Sequence, residues 1–177
     1  MMNIDGVIFG LAKVIGLDKL SLGLHSQIDD FCFINPGKRC EIGRNVHISS
    51  FPSIIGGGEC IIEDFAGLSA GCRIITGSDD FSGPYLTNPT VPSEFKKVNL
   101  DKVIIRKHVV LGTNCIVFPG VEIGEGATVS AGAVVRKTLE PWTVYAVIKG
   151  KLIAIKKRDG KAILAKEKQY KDKENKC

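Results

Sequence analysis

Aliphatic residues recur along this chain at every sixth position. From Ile105 the series runs Ile105, Leu111, Val117, Ile123, Val129, Val135 without a shift. Three earlier triplets keep the step: Leu22, Ile28, Ile34; then Ile42, Ile48, Ile54; then Ile62, Leu68, Ile74. All fifteen anchors are Leu, Ile or Val, although those types fill only 48 of the 177 positions, so the period is not a by-product of composition. A step of six is neither the helical period nor the simple strand alternation. It fits a coil with three flat sides, each side one short strand and a turn, in which successive rungs stack ~4.8 Å apart by strand pairing. The position four after an anchor is usually small or Val, as at Cys32, Val46, Ala66, Cys72, Cys115, Ala127 and Ala133. A narrow interior explains this, because large anchors fill it and leave space only for small neighbours. The predicted architecture is all-β, a parallel coil of about five rungs. The first three rungs start 20 residues apart, with bulges at Pro36-Gly37 and Gly56-Gly57-Gly58.

The flanks break the pattern. Ile4, Val7, Ile8, Leu11, Val14 and Ile15 have helical spacing, so residues 1–20 are expected to be a helical cap over the open end of the coil. The coil itself is expected over 21–153, with an excursion loop at 77–101 containing Pro84, Pro89 and Pro92. A loop that long in a compact domain is usually functional. Phe81, Tyr85, Leu86 and Phe95 give it an apolar content suited to packing on a neighbouring subunit. Residues 154–177 are expected to form a basic tail, with a helix over 159–174 docked through Ile163 and Leu164.

Charge and cysteines narrow the class. The net charge of +5 divides into −2 over residues 1–148 and +7 over residues 149–177, so the basic character belongs to the tail. Only Tyr170 lies among those tail charges, which argues for a solvated helix and against nucleic-acid binding. No run of about 18 apolar residues is present to span a bilayer. The start has Asp5 and no basic segment, which does not read as an export signal, so a cytoplasmic location is expected. The six cysteines (Cys32, Cys40, Cys60, Cys72, Cys115, Cys177) form no CxxC pair and are expected as free thiols, most of them small core residues.

The stretch Ile116-Val117-Phe118-Pro119-Gly120-Val121-Glu122-Ile123-Gly124-Glu125-Gly126, followed by Val129-Ser130-Ala131-Gly132-Ala133-Val134-Val135, resembles the hexapeptide-repeat acyltransferases. The likeness covers about residues 22–153 and follows the branch of galactoside, maltose and xenobiotic acetyltransferases, close to sugar-nucleotide N-acyltransferases. It implies a left-handed parallel β-helix, a homotrimer, and active sites between subunits with acyl-coenzyme A along the C-terminal rungs. Thr113, Ala131, Arg136 and Lys137 match positions at which the galactoside acetyltransferases contact coenzyme A. Gly112, Ala131 and Gly132 would let the pantetheine arm lie against backbone, and Arg136 and Lys137 would meet phosphates. Pro141-Trp142 resembles the family's closing Pro-Pro turn, which places Trp142 beside the adenine.

One departure decides the expected chemistry. Where those acetyltransferases carry a loop histidine that deprotonates the acceptor hydroxyl, this chain has Ser78, followed by Asp79 and Asp80. A hydroxyl acceptor needs such a base, whereas an amine with a pKa near ~8 is already partly neutral at cell pH. The site then supplies positioning and oxyanion stabilisation. The expected activity is therefore coenzyme A-dependent acylation, with acetyl the expected group, of an amino group on a sugar or sugar nucleotide, with no metal required. Two alternatives stay open: a sugar O-acetyltransferase using another base, and a non-catalytic hexapeptide-repeat scaffold. Asp79 and Asp80 either hold the acceptor ammonium and take its proton, or cap the first turn of the loop. Glu94 is a further acceptor-side candidate or a solvated charge. His25 and His47 lie on rungs before the loop and are candidates to touch the acceptor or to replace the missing base. His25, His47 and His108 are 22 and 61 residues apart, which does not suit the zinc site of the γ-class carbonic anhydrases that share the coil.

Overall fold

The computed structural model describes residues 3–175. Cys177 and the last residues of the expected tail lie outside the described residues. The chain winds into a three-sided parallel coil. Its first face runs through Leu20–Leu22, Arg39–Ile42, Glu59–Ile62, Lys102–Ile105 and Glu122–Ile123. The second runs through Val7–Ile8, Gln27–Ile28, His47–Ile48, Gly67–Leu68, Val110–Leu111, Thr128–Val129 and Thr143–Ile148. The third runs through Lys13–Val14, Phe33–Ile34, Ser53–Ile55, Arg73–Ile75, Ile116–Val117 and Val134–Val135. Every neighbouring pair within these faces is parallel and in register, as in Cys40 with Cys60 and then Cys60 with Val103.

All fifteen anchors are at most 3% exposed, and the small column beside them is equally buried. Burying each anchor contributes ~1.5–3 kcal/mol, so the stacked layers of Leu, Ile and Val side chains are the main source of stability. Cys32, Cys40, Cys60, Cys72 and Cys115 are buried free thiols of this interior. Burial pushes the Cys32 thiol up to about 11, and a thiol neighbour together with burial raises Cys60 as well.

The rung count exceeds the expected five, and the coil has about seven turns. Leu139 pairs beyond Ile123, and Thr143–Ile148 continues the second face. Thr143–Ile148 then folds back in an antiparallel hairpin with Lys151–Lys157. At the other end the expected helical cap is absent. Ile4 bridges to Leu22, Val7–Ile8 pairs with Gln27–Ile28, and Lys13–Val14 pairs with Phe33–Ile34. Residues 4–14 are thus the first rung. The helix-like spacing loses to the exposed strand edges of the next rung, whose backbone groups need partners.

The three corners carry the functional geometry. Each turns through one residue in the left-handed region. The first corner, between the first and second faces, uses His25, Asn45, Phe65, His108, Gly126 and Trp142. The second uses Phe31, Phe51, Gly71, Asn114 and Gly132. The third holds the glycine bulges and releases the excursion on the fourth rung. There Gly77–Asp79 pairs antiparallel with Val98–Leu100, so the loop is rooted as a hairpin. Thr76 is buried, accepts a hydrogen bond from Gly58 N–H and donates one to the Ile55 carbonyl. A Cβ on Gly58 would lie 2.2 Å from the Asp101 carbonyl oxygen, so only glycine lets the loop root close against this corner.

Helix α1, Gly160–Glu174, lies along the first corner and runs back toward the N-terminal rungs. Asp159 caps it by accepting from Ala162 N–H. At ~1.5 Å per residue and ~4.8 Å per rung, fifteen helical residues span four to five rungs. The contacts keep that pace. Gly160 meets Trp142, Glu167 meets His108 at 2.8 Å, Tyr170 meets Phe65 and Asn45, and Glu174 meets Arg44 and His25. The seam is therefore more polar than the expected Ile163 and Leu164 docking; Ile163 is half-buried and Leu164 is exposed.

Candidate active site

The residues read from the sequence fall on three different corners of one chain. Gly112, Thr113, Ala131 and Gly132 gather at the second corner on rungs five and six, where Gly132 N–H donates to the Thr113 carbonyl. Thr113, Ala131 and Gly132 are exposed, and a Cβ on Gly132 would meet nothing within 4 Å. This corner is a flat lane of backbone and small groups, which fits the narrow pantetheine arm of a coenzyme. Arg136 and Lys137 stand at the third corner, across the third face. The Arg136 guanidinium lies 4.2 Å from the centroid of the Phe118 ring, which fixes it while leaving its edge free for an anion.

Trp142 is not with them. It occupies the first corner, against Gly126 and Gly160, with its ring 6.0 Å from that of His108. A Cβ on Gly126 would overlap the indole at 2.1 Å. The Trp142 ring packs against the start of α1, on a different corner from Thr113, Ala131, Arg136 and Lys137. His108 has the same duty. It is buried, stacks on Phe65 at 5.2 Å, and pairs with Glu167.

Asp80 is also accounted for by structure. Its Oδ1 accepts from Ser82 N–H, Ser82 Oγ and Gly83 N–H, and Lys97 lies 3.4 Å from Oδ2. The hydrogen bonds from Ser82, with those of Gly83 and Lys97, hold its carboxyl below the usual range against a small opposing effect of burial. These contacts are those of a cap on the first turn of the loop. Asp79 accepts from Asn88 N–H at 2.7 Å and pins the far side of the loop. Ser78 is half-buried at the loop root, with its Oγ donating to the Asp79 carbonyl at 3.3 Å. Glu94 is exposed in the short 3-10 turn Ser93–Phe95.

The second face carries the best-organised titratable group. His47 Nε2 lies 3.0 Å from Asp29 Oδ2, and Gln27 Nε2 donates to Asp29 Oδ1 at 2.6 Å. Burial pushes the Asp29 carboxyl up, but the hydrogen bonds from Gln27 and His47 outweigh it and hold the group below its ordinary range. The Asp29 carboxylate thus fixes the orientation of the His47 ring through Nε2. His47 lines one groove with Ser49, Gly67, Ser69, Val110 and Thr113. The groove thus joins this histidine to the small-residue lane at the second corner. The Gln27–Asp29–His47 chain was hidden in the sequence, because His47 joins the other two only through the 20-residue rung spacing. His25 is at the edge of the same face but is tied to Glu174 at 3.3 Å. Among the described residues no three His, Cys, Asp or Glu side chains converge as metal ligands.

Residues 102–137 match the family model described as the hexapeptide repeat of succinyl-transferase. The chain is 38% identical over 144 residues to dTDP-4-amino-4,6-dideoxy-D-glucose acyltransferase of Escherichia coli, covering 81% of this chain and 75% of that protein. The chain belongs to the hexapeptide-repeat acyltransferases. Its fold is similar to that of AntD, an N-acyltransferase from Bacillus cereus solved with dTDP and 3-hydroxybutyryl-CoA. The TM-score is 0.86 at 33% identity, over 96% of this chain and 89% of that one. A variant of AntD solved with dTDP-4-amino-4,6-dideoxyglucose and coenzyme A matches at TM-score 0.86 and 32% identity, with the same coverage. No helix among the described residues is long and apolar enough to cross a membrane.

Proposed function

We propose that this chain transfers an acyl group from coenzyme A to the amino group of a dTDP-linked or similar amino sugar, and that it does so as a homotrimer. The observation that carries the reading is the pairing of a small-residue lane at the second corner with a loop root that has Ser78 in place of a base. Across most of its length the chain is also similar to an acyltransferase named for a dTDP-amino sugar. In the reaction the amine nitrogen attacks the thioester carbonyl, the C–N bond forms, and the C–S bond breaks to release coenzyme A as its thiol. The ammonium proton leaves before attack or as the tetrahedral intermediate collapses.

The division of residues within one chain fits a site shared by two. Thr113, Ala131 and Gly132 of one copy would face the Ser78 root, Arg136 and Lys137 of the next, with the coenzyme between. The third face, which separates these corners, presents Phe33, Ile55, Ile75, Ile116 and Val134 outward, a surface suited to burial between copies. His47, aligned by Asp29, belongs to the acceptor side of the groove, where its ring would help to orient the amino sugar.

That same pair favours a second reading, sugar O-acetylation with His47 as base. One experiment separates them. Thiol release from acetyl-coenzyme A is measured with a dTDP-amino sugar and with the corresponding dTDP-sugar carrying a hydroxyl. We expect turnover with the amine to exceed that with the hydroxyl by at least 100-fold. Its kcat/KM should rise with pH and level off near the free amine's pKa in both wild type and His47→Asn. Comparable turnover with the hydroxyl, lost in His47→Asn, supports O-acetylation instead.

A further inference from the structure

Six aromatic or imidazole rings occupy left-handed corner positions, a strained conformation for bulky residues. At the first corner Phe65, His108 and Trp142 are covered by α1, and His25 is paired with its last turn. At the second corner Phe31 and Phe51 have no such cover. They are 54% and 57% exposed, and they stack on each other at 5.3 Å and 11°. Neither ring serves the core, yet the second is firmly seated. Arg73 Nη1 donates to the carbonyls of Phe51 and Gly71, at 2.7 Å each, and so braces the corner beneath the ring.

The next rung changes character. Where the ladder would place a third side chain it has Gly71, and a Cβ there would lie 2.1 Å from Asn114 Oδ1. Glycine thus lets the Asn114 carboxamide fold down to the level of the fourth rung, beside the end of the aromatic ladder. A flat apolar face next to a two-sided hydrogen-bonding edge suits a planar heterocycle better than an aliphatic side chain. The same corner continues through Thr113 and Gly132, the lane assigned above to the coenzyme. From Phe51 to Thr113 is two rungs, ~10 Å, toward the N-terminal end. A sugar nucleotide whose amine meets the thioester at the lane must place its base some such distance away, beyond the sugar and the diphosphate.

We propose that Phe31 and Phe51, with the Asn114 amide, form the platform for the nucleobase of a sugar-nucleotide acceptor. This rests on the sugar-nucleotide reading given above. It also makes the second corner one continuous binding lane, with coenzyme on rungs five and six and nucleotide on rungs two to four.

The test is calorimetric titration of full-length wild type, Phe31→Ala/Phe51→Ala and Phe51→Leu with dTDP, and separately with coenzyme A. Light scattering of each variant accompanies it. Base–aromatic stacking of the usual strength predicts at least a tenfold rise in the dTDP Kd for the double variant. Phe51→Leu, which keeps apolar bulk without the flat ring, should weaken dTDP in the same direction. Coenzyme A affinity and particle mass should be unchanged. A dTDP Kd within twofold of wild type in both variants overturns the platform and leaves the acyltransferase reading standing. A fall in mass to that of one chain also overturns it, because the rings would then be holding copies together. Wild type that binds coenzyme A but no dTDP removes the sugar-nucleotide reading itself, and the platform with it.

Discussion

At the scale of single residues, the loop root separates what an aspartate's shape does from what its charge does. Asp80 accepts three hydrogen bonds on one oxygen, a task that an asparagine carbonyl can also perform. We therefore expect Asp80→Asn to keep turnover within about twofold of wild type. Asp80→Ala should lower turnover and speed proteolytic nicking within residues 81–97. Because the folded carboxyl is held below its unfolded value, its contribution to loop order is present above the unfolded pKa and fades as pH falls through the folded one. Nicking of wild type should accordingly accelerate in acid, while Asp80→Asn should lack that dependence. An Asn variant as impaired as the Ala variant at neutral pH would show that the charge itself is used in the reaction. Much at this scale was legible in advance. Ser78 in place of the loop histidine follows from the family resemblance, and the two readings of Asp79 and Asp80 follow from their place at the start of the loop. The Trp142 position was not legible, since the identity of the covered corner depends on where a helix 18 or more residues further on comes to rest.

Elements were legible in proportion to the number of rungs that repeat them. The interior anchors were unambiguous because six-residue spacing recurs over most of the chain and every copy is buried. The first rung was missed because one copy of a pattern has no register to be compared with, and Ile4, Val7, Ile8 and Leu11 suit a helix equally well until the neighbouring strand edge is present. The course of α1 was hidden for a related reason. Its coil-facing stripe, Ile163, Glu167, Tyr170 and Glu174, is mainly polar, so apolar periodicity could not reveal it. That stripe gives a measurable consequence. Burial raises the Glu167 carboxyl, but its bonds to Lys171 and His108 outweigh burial and lower it overall. The stabilisation is therefore present above ~4.3, the unfolded value, and disappears as pH falls through the lower folded value. Glu167→Gln, whose carboxamide can still accept from His108 but carries no charge toward His108 or Lys171, should destabilise the chain at pH 7 by ~1 kcal/mol. In thermal melts the gap to wild type should close in acid. A gap that persists unchanged below pH 3 would mean that helix packing, and not the ionised carboxylate, makes the difference.

At the scale of the whole molecule, one chain holds all the parts of the proposed site and brings few of them together. The small-residue lane and Arg136 stand on different corners of one copy, on either side of the third face. That face carries exposed apolar groups on its outer side, Phe33 at 40% and Val134 at 41%, in one column with Ser53 and Arg73. The excursion adds Phe81 at 80% and Leu86 at 60%. Contiguous apolar surfaces of this kind mark contact sites. A three-fold arrangement that buries the third face would set the second corner of each copy against the third corner of the next. The proposed site would exist only in the assembly, so no spacing along one chain could join its parts. We expect wild type to scatter with three times the 19.1 kDa chain mass. Ile116→Glu/Val134→Glu places two charges on the outer side of the third face without touching the buried anchors, so the coil should keep its circular dichroism. Its mass should fall to that of one chain, and turnover and coenzyme A affinity should fall with it. A variant that becomes monomeric yet still binds coenzyme A with wild-type affinity would show that one chain holds the coenzyme alone. In that case the phosphates must be met at the second corner or on the Lys151–Lys157 hairpin, and Arg136 would be left to its contact with Phe118.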